Sequence, residues 1–164
     1  MDRRSRILRI TQAAVIAAVY AVLTVVFAPI SYGPAQIRIA EALSILPMFT
    51  PAAVPGLFIG CLTANILGGA VILDIVFGSL ATLIGAWLGY LLRKSRWLVP
   101  LPAVIANALI IPYVLKFGYG YEEFPLPVLI IYIAIGEIIG CYILGELLGS
   151  ILLKYRDRLF GKRE

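Results

Sequence analysis

The amino-acid sequence predicts an all-α integral membrane protein, a single membrane domain over residues 1–164 with six transmembrane helices and both termini in the cytoplasm. Three observations support this prediction. The chain is 62% hydrophobic and 14% charged, whereas a soluble domain carries about 25% charged residues. Apolar stretches recur along the chain, several of them near the length of about 20 residues that a bilayer crossing needs. The cations are concentrated in three groups, which six crossings would place on one side.

Six uncharged or nearly uncharged stretches each predict one helix. They run over residues 7–29, 37–49, 53–68, 71–92, 98–116 and 126–153. The second and third are short, and the prolines of "LPMFTPAAVP" interrupt them. Because proline removes a backbone donor and clashes with the preceding turn, we expect two short helices here. Neighbouring helices or water must cover the exposed backbone between them.

The distribution of basic residues orients the bundle. Of the 14 Lys and Arg residues, 12 lie within residues 3–9, 93–96 and 154–163. The positive-inside rule assigns these groups to the cytoplasm. We expect a multi-pass protein of the plasma membrane. The segment "KFGYGYEEF" then lies on the outer face, where its aromatic side chains are expected to cover a site beneath them.

The sequence lacks the motifs of the common enzyme classes. It contains no histidine, no GxxxxGK[ST] and no GxSxG, which excludes histidine-based zinc sites and triads, a P-loop and a nucleophile elbow. We therefore expect no enzyme activity, no cofactor, no metal site and no nucleic-acid partner, with the basic tail serving as a cytoplasmic flank. Cys61 and Cys141 lie in apolar stretches, where free thiols are expected to act as small hydrophobic side chains.

Polar residues at membrane depth are the candidates for a substrate-binding site. A charged side chain at mid-bilayer costs about 2.5–3.5 kcal/mol on insertion scales, so such residues normally face a cavity or a partner. Glu146 lies nearer the cytoplasmic end and is left out of the site. The candidates are Arg38, Glu41, Asn65, Asp74, Asn107 and Glu137.

These candidates also have structural interpretations. Arg38 and Glu41 have the spacing of an i,i+3 ion pair, and Asp74 has the position of a helix cap. The two asparagines have the chemistry to hold helices together. Glu137 has the weakest structural alternative, because it lies about 16 Å along its helix, between glycines that permit close helix approach.

The charges of the candidates do not balance. One arginine and three carboxylates sum to −2 if all are ionised. Either a carboxylate is protonated, since desolvation disfavours its charged form, or a cationic ligand rich in hydrogen-bond donors completes the site.

Small residues on the first helix form a candidate docking face. Ala13, Ala17 and Ala21 recur at i, i+4 and i+8, a pattern that lets membrane helices pack closely. The pattern alone is equally consistent with packing inside the same chain.

Four stretches carry a resemblance that covers nearly the whole chain. They are "SYGPAQIRIAEALSILPMFTPAAVPGLFIGCLTANILGG", "LDIVFGSLATLIGA", "PLPAVIANALI" and "YIAIGEIIGCYILG". The sequence resembles the QueT family of substrate-binding (S) components of energy-coupling factor (ECF) transporters. The resemblance implies six helices, a pocket near the outer face and a deazaguanine ligand, a precursor of queuosine. It also implies that the alanine face docks on a transmembrane coupling subunit, with two cytoplasmic ATPases driving uptake.

Two alternatives remain open at the level of sequence. One is an S component for another small, vitamin-like nutrient. The other is a stand-alone channel or scaffold. A channel would need a continuous stripe of polar residues from one membrane face to the other, whereas the polar residues here cluster in the outer half of the membrane.

Overall fold

The computed structural model describes residues 3–32 and 37–160, except for the side chains of residues 157 and 158, and this part of the chain contains helices and no strand. The all-α prediction is therefore confirmed. The α-helices are α1 (Arg3–Val26), α2 (Ala28–Ser31), α3 (Ala53–Leu67), α4 (Ser79–Leu91), α5 (Leu101–Gly118), α6 (Leu126–Glu137), α7 (Gly145–Lys154) and α8 (Arg156–Leu159). The 3₁₀ helices are Ile39–Met48 and Arg96–Leu98, and the π-helical segments are Asp74–Gly78 and Ile138–Leu144.

Four helical stretches of the described residues are long and apolar enough to cross a bilayer. They are Arg3–Val26, Asp74–Leu91, Arg96–Gly118 and Leu126–Arg156. The 3₁₀ helix Ile39–Met48 and α3 are apolar but shorter. Their lengths are about 20 Å and 22 Å at 2.0 Å and 1.5 Å per residue, less than a hydrocarbon core of about 30 Å. The count of six crossings therefore stays a prediction.

The 3₁₀ helix Ile39–Met48 occupies the middle of the bundle. Every residue from Ala40 to Pro47 is buried, and the helix packs against α1, α4, α7 and the π segment Ile138–Leu144. Because a 3₁₀ helix has three residues per turn, Glu41 and Ser44 lie on the same edge. The sequence predicts a short helix here but does not distinguish 3₁₀ from α geometry.

Glycines of α3 allow α1 to pack very closely against it. A Cβ atom added at Gly60 would lie 2.7 Å from the Cβ of Tyr20 and 2.9 Å from the carbonyl oxygen of Ala17. Tyr20 is completely buried, so this contact fixes the tyrosine in the centre of the bundle. Part of the predicted docking face on α1 is therefore internal packing.

Each end of the bundle is closed by aromatic or charged contacts. At one end, Tyr119, Tyr121, Phe124 and Tyr132 follow one another with ring centroids 6.2–6.4 Å apart. At the other end, Phe49 stacks on Phe160 at 5.2 Å, and Glu146 forms an ion pair with Arg96. The buried centre of the bundle, where the candidate site lies, is between these two sets of contacts.

Candidate functional site

The fold buries all six candidate residues, each with at most 4% of its surface exposed. The 3₁₀ helix Ile39–Met48 supplies Glu41, and Arg38 is the residue immediately before that helix. The other four come from α3, the π segment Asp74–Gly78, α5 and α6. Buried polar groups are unfavourable without partners, so their contacts determine what the site does.

Arg38 forms its ion pair with Asp74 and not with Glu41. Its Nη2 lies 3.4 Å from Oδ2 of Asp74, and its Nε donates to the Ser31 carbonyl oxygen at 3.4 Å. Arg38 has extended backbone geometry (φ −91°, ψ 109°) before the first helical turn. The i,i+3 pair with Glu41 is therefore not formed, because that pairing requires both residues to have helical geometry. The guanidinium also lies 5.7 Å from the centre of the Tyr32 ring.

Asp74 is the point where three elements meet. Its Oδ2 accepts from Arg38 and Tyr119, and its Oδ1 has no hydrogen-bond partner in the described part of the chain, so the capping interpretation is not supported. Tyr119 donates to its Oδ2 at 2.9 Å, and the side-chain amide of Asn65 donates to its backbone carbonyl at 3.0 Å. Burial, and then the Asp74 carboxylate, raise the pKa of Tyr119, so the hydroxyl keeps its proton and can donate.

Glu41 and Glu137 form an acidic pair on the other side of the cluster. Tyr20 donates to Oε1 of Glu41 at 2.5 Å. The thiol of Cys141 donates to Oε2 of Glu137 at 3.4 Å and lies 4.0 Å from Oε2 of Glu41. The side-chain amide of Asn107 faces Glu137. Within residues 3–32 and 37–160, neither glutamate has a cationic nitrogen within 4.0 Å.

The structure adds residues that the sequence analysis does not place in the site. They are Tyr20, Ser44, Cys61 and Cys141. Tyr119 belongs to the segment expected to cover the site, and it contacts Asp74 directly. The two cysteines contact polar groups rather than acting only as apolar side chains. Each lies four residues from a candidate, Cys61 before Asn65 and Cys141 after Glu137, and both pairs are in contact. That i,i+4 spacing on a helix is the signal that points to them.

Two grooves lie on the outside of the bundle, away from the polar cluster. One, of about 530 Å³, runs between residues 9–17 of α1 and residues 51–59, which include the first turns of α3. It includes Ala13 and Ala17, whereas Ala21 is buried in the chain's own core. The other, of about 400 Å³, is apolar and lies between α5 and residues 73–77, at the π segment Asp74–Gly78.

A family model described as QueT transporter matches residues 10–154. The chain belongs to the QueT transporter family. A curated relative, the "Queuosine precursor transporter QueT" of Lactococcus lactis subsp. cremoris (strain MG1363), is 35% identical over 92 residues, which is 55% of this chain and 54% of the relative. The match thus spans about half the length of that relative. No solved structure matches the chain.

The family model and the curated relative are both described as transporters. All six candidate residues lie within the matched range. The apolar helices agree with this assignment, and the buried polar cluster is the part of the QueT chain with the chemistry to recognise a polar solute.

Proposed function

We propose that this chain is the substrate-binding component of an ECF importer and that it binds a queuosine precursor of the deazaguanine class. The name of the curated relative supports the ligand, and the resemblance of the sequence to S components supports the type of transporter. The proposed site consists of Arg38, Glu41, Asn65, Asp74, Asn107 and Glu137.

The acidic pair is the observation that carries the proposal. Glu41 and Glu137 are buried together, while the one arginine of the cluster is paired with Asp74. A buried carboxylate is stabilised by charged or polar donors. The edge of a deazaguanine presents N–H donors, and an aminomethyl substituent adds a positive charge. A ligand of this kind satisfies both carboxylates at once.

The groove between α1 and α3 is the proposed docking surface for a transmembrane coupling subunit. It exposes Ala13, Ala14 and Ala17 beside Pro51 and Pro55, and small residues of this kind allow another helix to approach closely. Two cytoplasmic ATPases would supply the energy, since the chain itself contains no P-loop sequence. In this proposal the protein lies in the plasma membrane with six crossings and both termini in the cytoplasm.

The test is calorimetric titration of the purified protein with a deazaguanine that carries an aminomethyl group. Glu137→Gln removes the charge and replaces an acceptor by a donor. Leaving a buried charged donor without its acceptor costs about 2–5 kcal/mol. Because 1.4 kcal/mol is tenfold in affinity, we expect binding to weaken by about 30-fold or more.

Glu123→Gln is the matched control, because Glu123 is exposed in the loop between α5 and α6, and we expect it to bind as the wild type does. Unchanged affinity in a folded Glu137→Gln protein would remove Glu137 from the site and leave Asp74 and Asn107 as its anchors. Tighter binding of an unrelated vitamin than of the deazaguanine would contradict the proposed ligand.

A further inference from the structure

We propose that Glu41, Glu137 and Cys141 bind a divalent transition metal ion of the Zn²⁺ class. All three residues are buried, and one ligand atom from each lies within 4.8 Å of the other two. Carboxylate oxygen and thiolate sulfur are both common zinc ligands. The sequence analysis expects no metal site because histidine is absent, but these three residues supply one without it. The proposal goes beyond the transport function and does not require the ligand to be a deazaguanine.

The two sulfur–oxygen distances are close to an edge of a tetrahedral site. Bonds of about 2.3 Å to sulfur and 2.0–2.2 Å to oxygen at the tetrahedral angle separate the two atoms by about 3.5 Å. The sulfur of Cys141 lies 3.4 Å from Oε2 of Glu137 and 4.0 Å from Oε2 of Glu41. The distance to Glu41 is therefore about half an ångström longer than a tetrahedral zinc site needs.

Neighbouring side chains orient the two carboxylates. Tyr20 donates to Oε1 of Glu41, which leaves Oε2, the oxygen nearer Cys141, available to a metal. The amide of Asn107 faces the carboxylate of Glu137. Hydrogen bonds that hold a ligand in place are a general feature of protein metal sites, and their loss costs about 10–100-fold in metal affinity.

Ser44 provides an independent observation at the same place. Ser44 is 95% buried, and its hydroxyl oxygen has no hydrogen-bond partner of normal geometry in the described part of the chain. The hydroxyl lies beside the thiol of Cys141, on the same edge of the 3₁₀ helix as Glu41. A buried hydroxyl without a partner is unfavourable. A metal ion, or a water molecule bound to it, would supply the missing partner.

Metal binding has a defined chemical outcome. The thiol of Cys141 loses its proton to water, and a bond forms between the thiolate and the metal. Three protein ligands leave one coordination position open. The metal and a cationic nutrient would compete, because both need the carboxylates of Glu41 and Glu137.

Titration with Cd²⁺ tests the site, because a cadmium–thiolate bond has an ultraviolet charge-transfer band. The protein is the full chain in detergent, and Zn²⁺ is added afterwards to displace Cd²⁺. We expect a band that saturates at about one equivalent of Cd²⁺, since one thiolate lies in the site. The band should be abolished by Cys141→Ser and retained by Cys61→Ser. Cys61 is the matched control, because it is an equally buried thiol that contacts Arg38 rather than a carboxylate.

Glu137→Gln keeps the thiol and should weaken Cd²⁺ binding at least about tenfold, in line with the loss of a ligand group. This variant decides the question if Cys141→Ser does not fold, which thermal melts of each variant report. Absence of a saturable band in the wild type would overturn the proposal, as would a band that follows Cys61. Titration of the nutrient in metal-free buffer is a separate measurement, so failure of the metal site and failure of the transport proposal are distinguishable.

Discussion

Arg38 and Arg96 form the two ion pairs of residues 3–32 and 37–160, and the two pairs differ in their surroundings. The Arg38–Asp74 pair has side chains that are at most 4% exposed, whereas Arg96 in the pair with Glu146 is 27% exposed. Removing one partner of a buried pair leaves an uncompensated charge in a region of low dielectric. The two arginines therefore offer a comparison of the same chemistry at different depths.

At the scale of single residues, we expect Arg38→Met to lower the free energy of unfolding by about 3–5 kcal/mol, because Asp74 is left charged and buried. Adding Asp74→Asn should recover much of that loss. Arg96→Met should cost less, because partly exposed pairs contribute little. Thermal and denaturant unfolding in detergent measure all three. Equal losses for Arg38→Met and Arg96→Met would contradict the argument from burial.

The composition of the polar cluster was predictable from the sequence, but its pairing was not. Charged and amide residues in apolar stretches identify Arg38, Asn65 and Glu137 because they are costly in a membrane. The partner of Arg38 lies 36 residues away, and sequence spacing indicates only neighbours within a helix. The sequence does not predict Tyr20 as part of the cluster, because tyrosine is common near membrane surfaces. No neighbouring residue in the sequence indicates that it donates to Glu41.

At the scale of elements, α1 has two exposed alanines with different surroundings. Ala14 lines the groove with α3, whereas Ala18 is not among the groove residues. The two residues are both alanines and lie four positions apart on the same helix, so they have the same helix propensity and a similar depth in the membrane. This pair separates docking from internal packing better than Ala17, whose backbone lies against Gly60.

We expect Ala14→Trp to abolish uptake in cells while leaving nutrient binding by the isolated protein unchanged, because the indole fills the groove that a partner helix needs. Ala18→Trp should leave both unchanged. Uptake assays and calorimetric titration provide the two measurements. If Ala14→Trp impairs binding as well, or if both variants transport normally, the groove is not the docking surface.

The elements also show where sequence patterns lose information. The prolines of "LPMFTPAAVP" predict a break, and the structure has its two short helices on either side of Phe49–Ala52. Hydrophobic periodicity cannot show that the first of them is a 3₁₀ helix, since all of its residues from Ala40 to Pro47 are buried and no face is distinguished. The π segments at Asp74 and Ile138 are likewise invisible in composition, although such segments often occur at functional sites.

At the scale of the whole molecule, topology is the prediction that the structure leaves open. We expect a membrane-impermeant maleimide applied to intact cells to label Glu122→Cys and not Lys94→Cys, because the positive-inside rule assigns the latter to the cytoplasm. Both positions are exposed, and the two native cysteines are buried. Lys94→Cys should react after the cells are permeabilised. Labelling of Lys94→Cys in intact cells would contradict the proposed orientation.

The 3₁₀ helix at the centre of the bundle also constrains how this sequence can evolve. Its repeat of three residues places Glu41 and Ser44 on the same edge of the helix, and every residue from Ala40 to Pro47 is buried. Inserting or deleting one residue between them would turn the second by about 120° relative to the first, whereas exchanging an intervening side chain for one of similar volume would not. Descendants of this chain should therefore vary in residue type within the segment but keep its length.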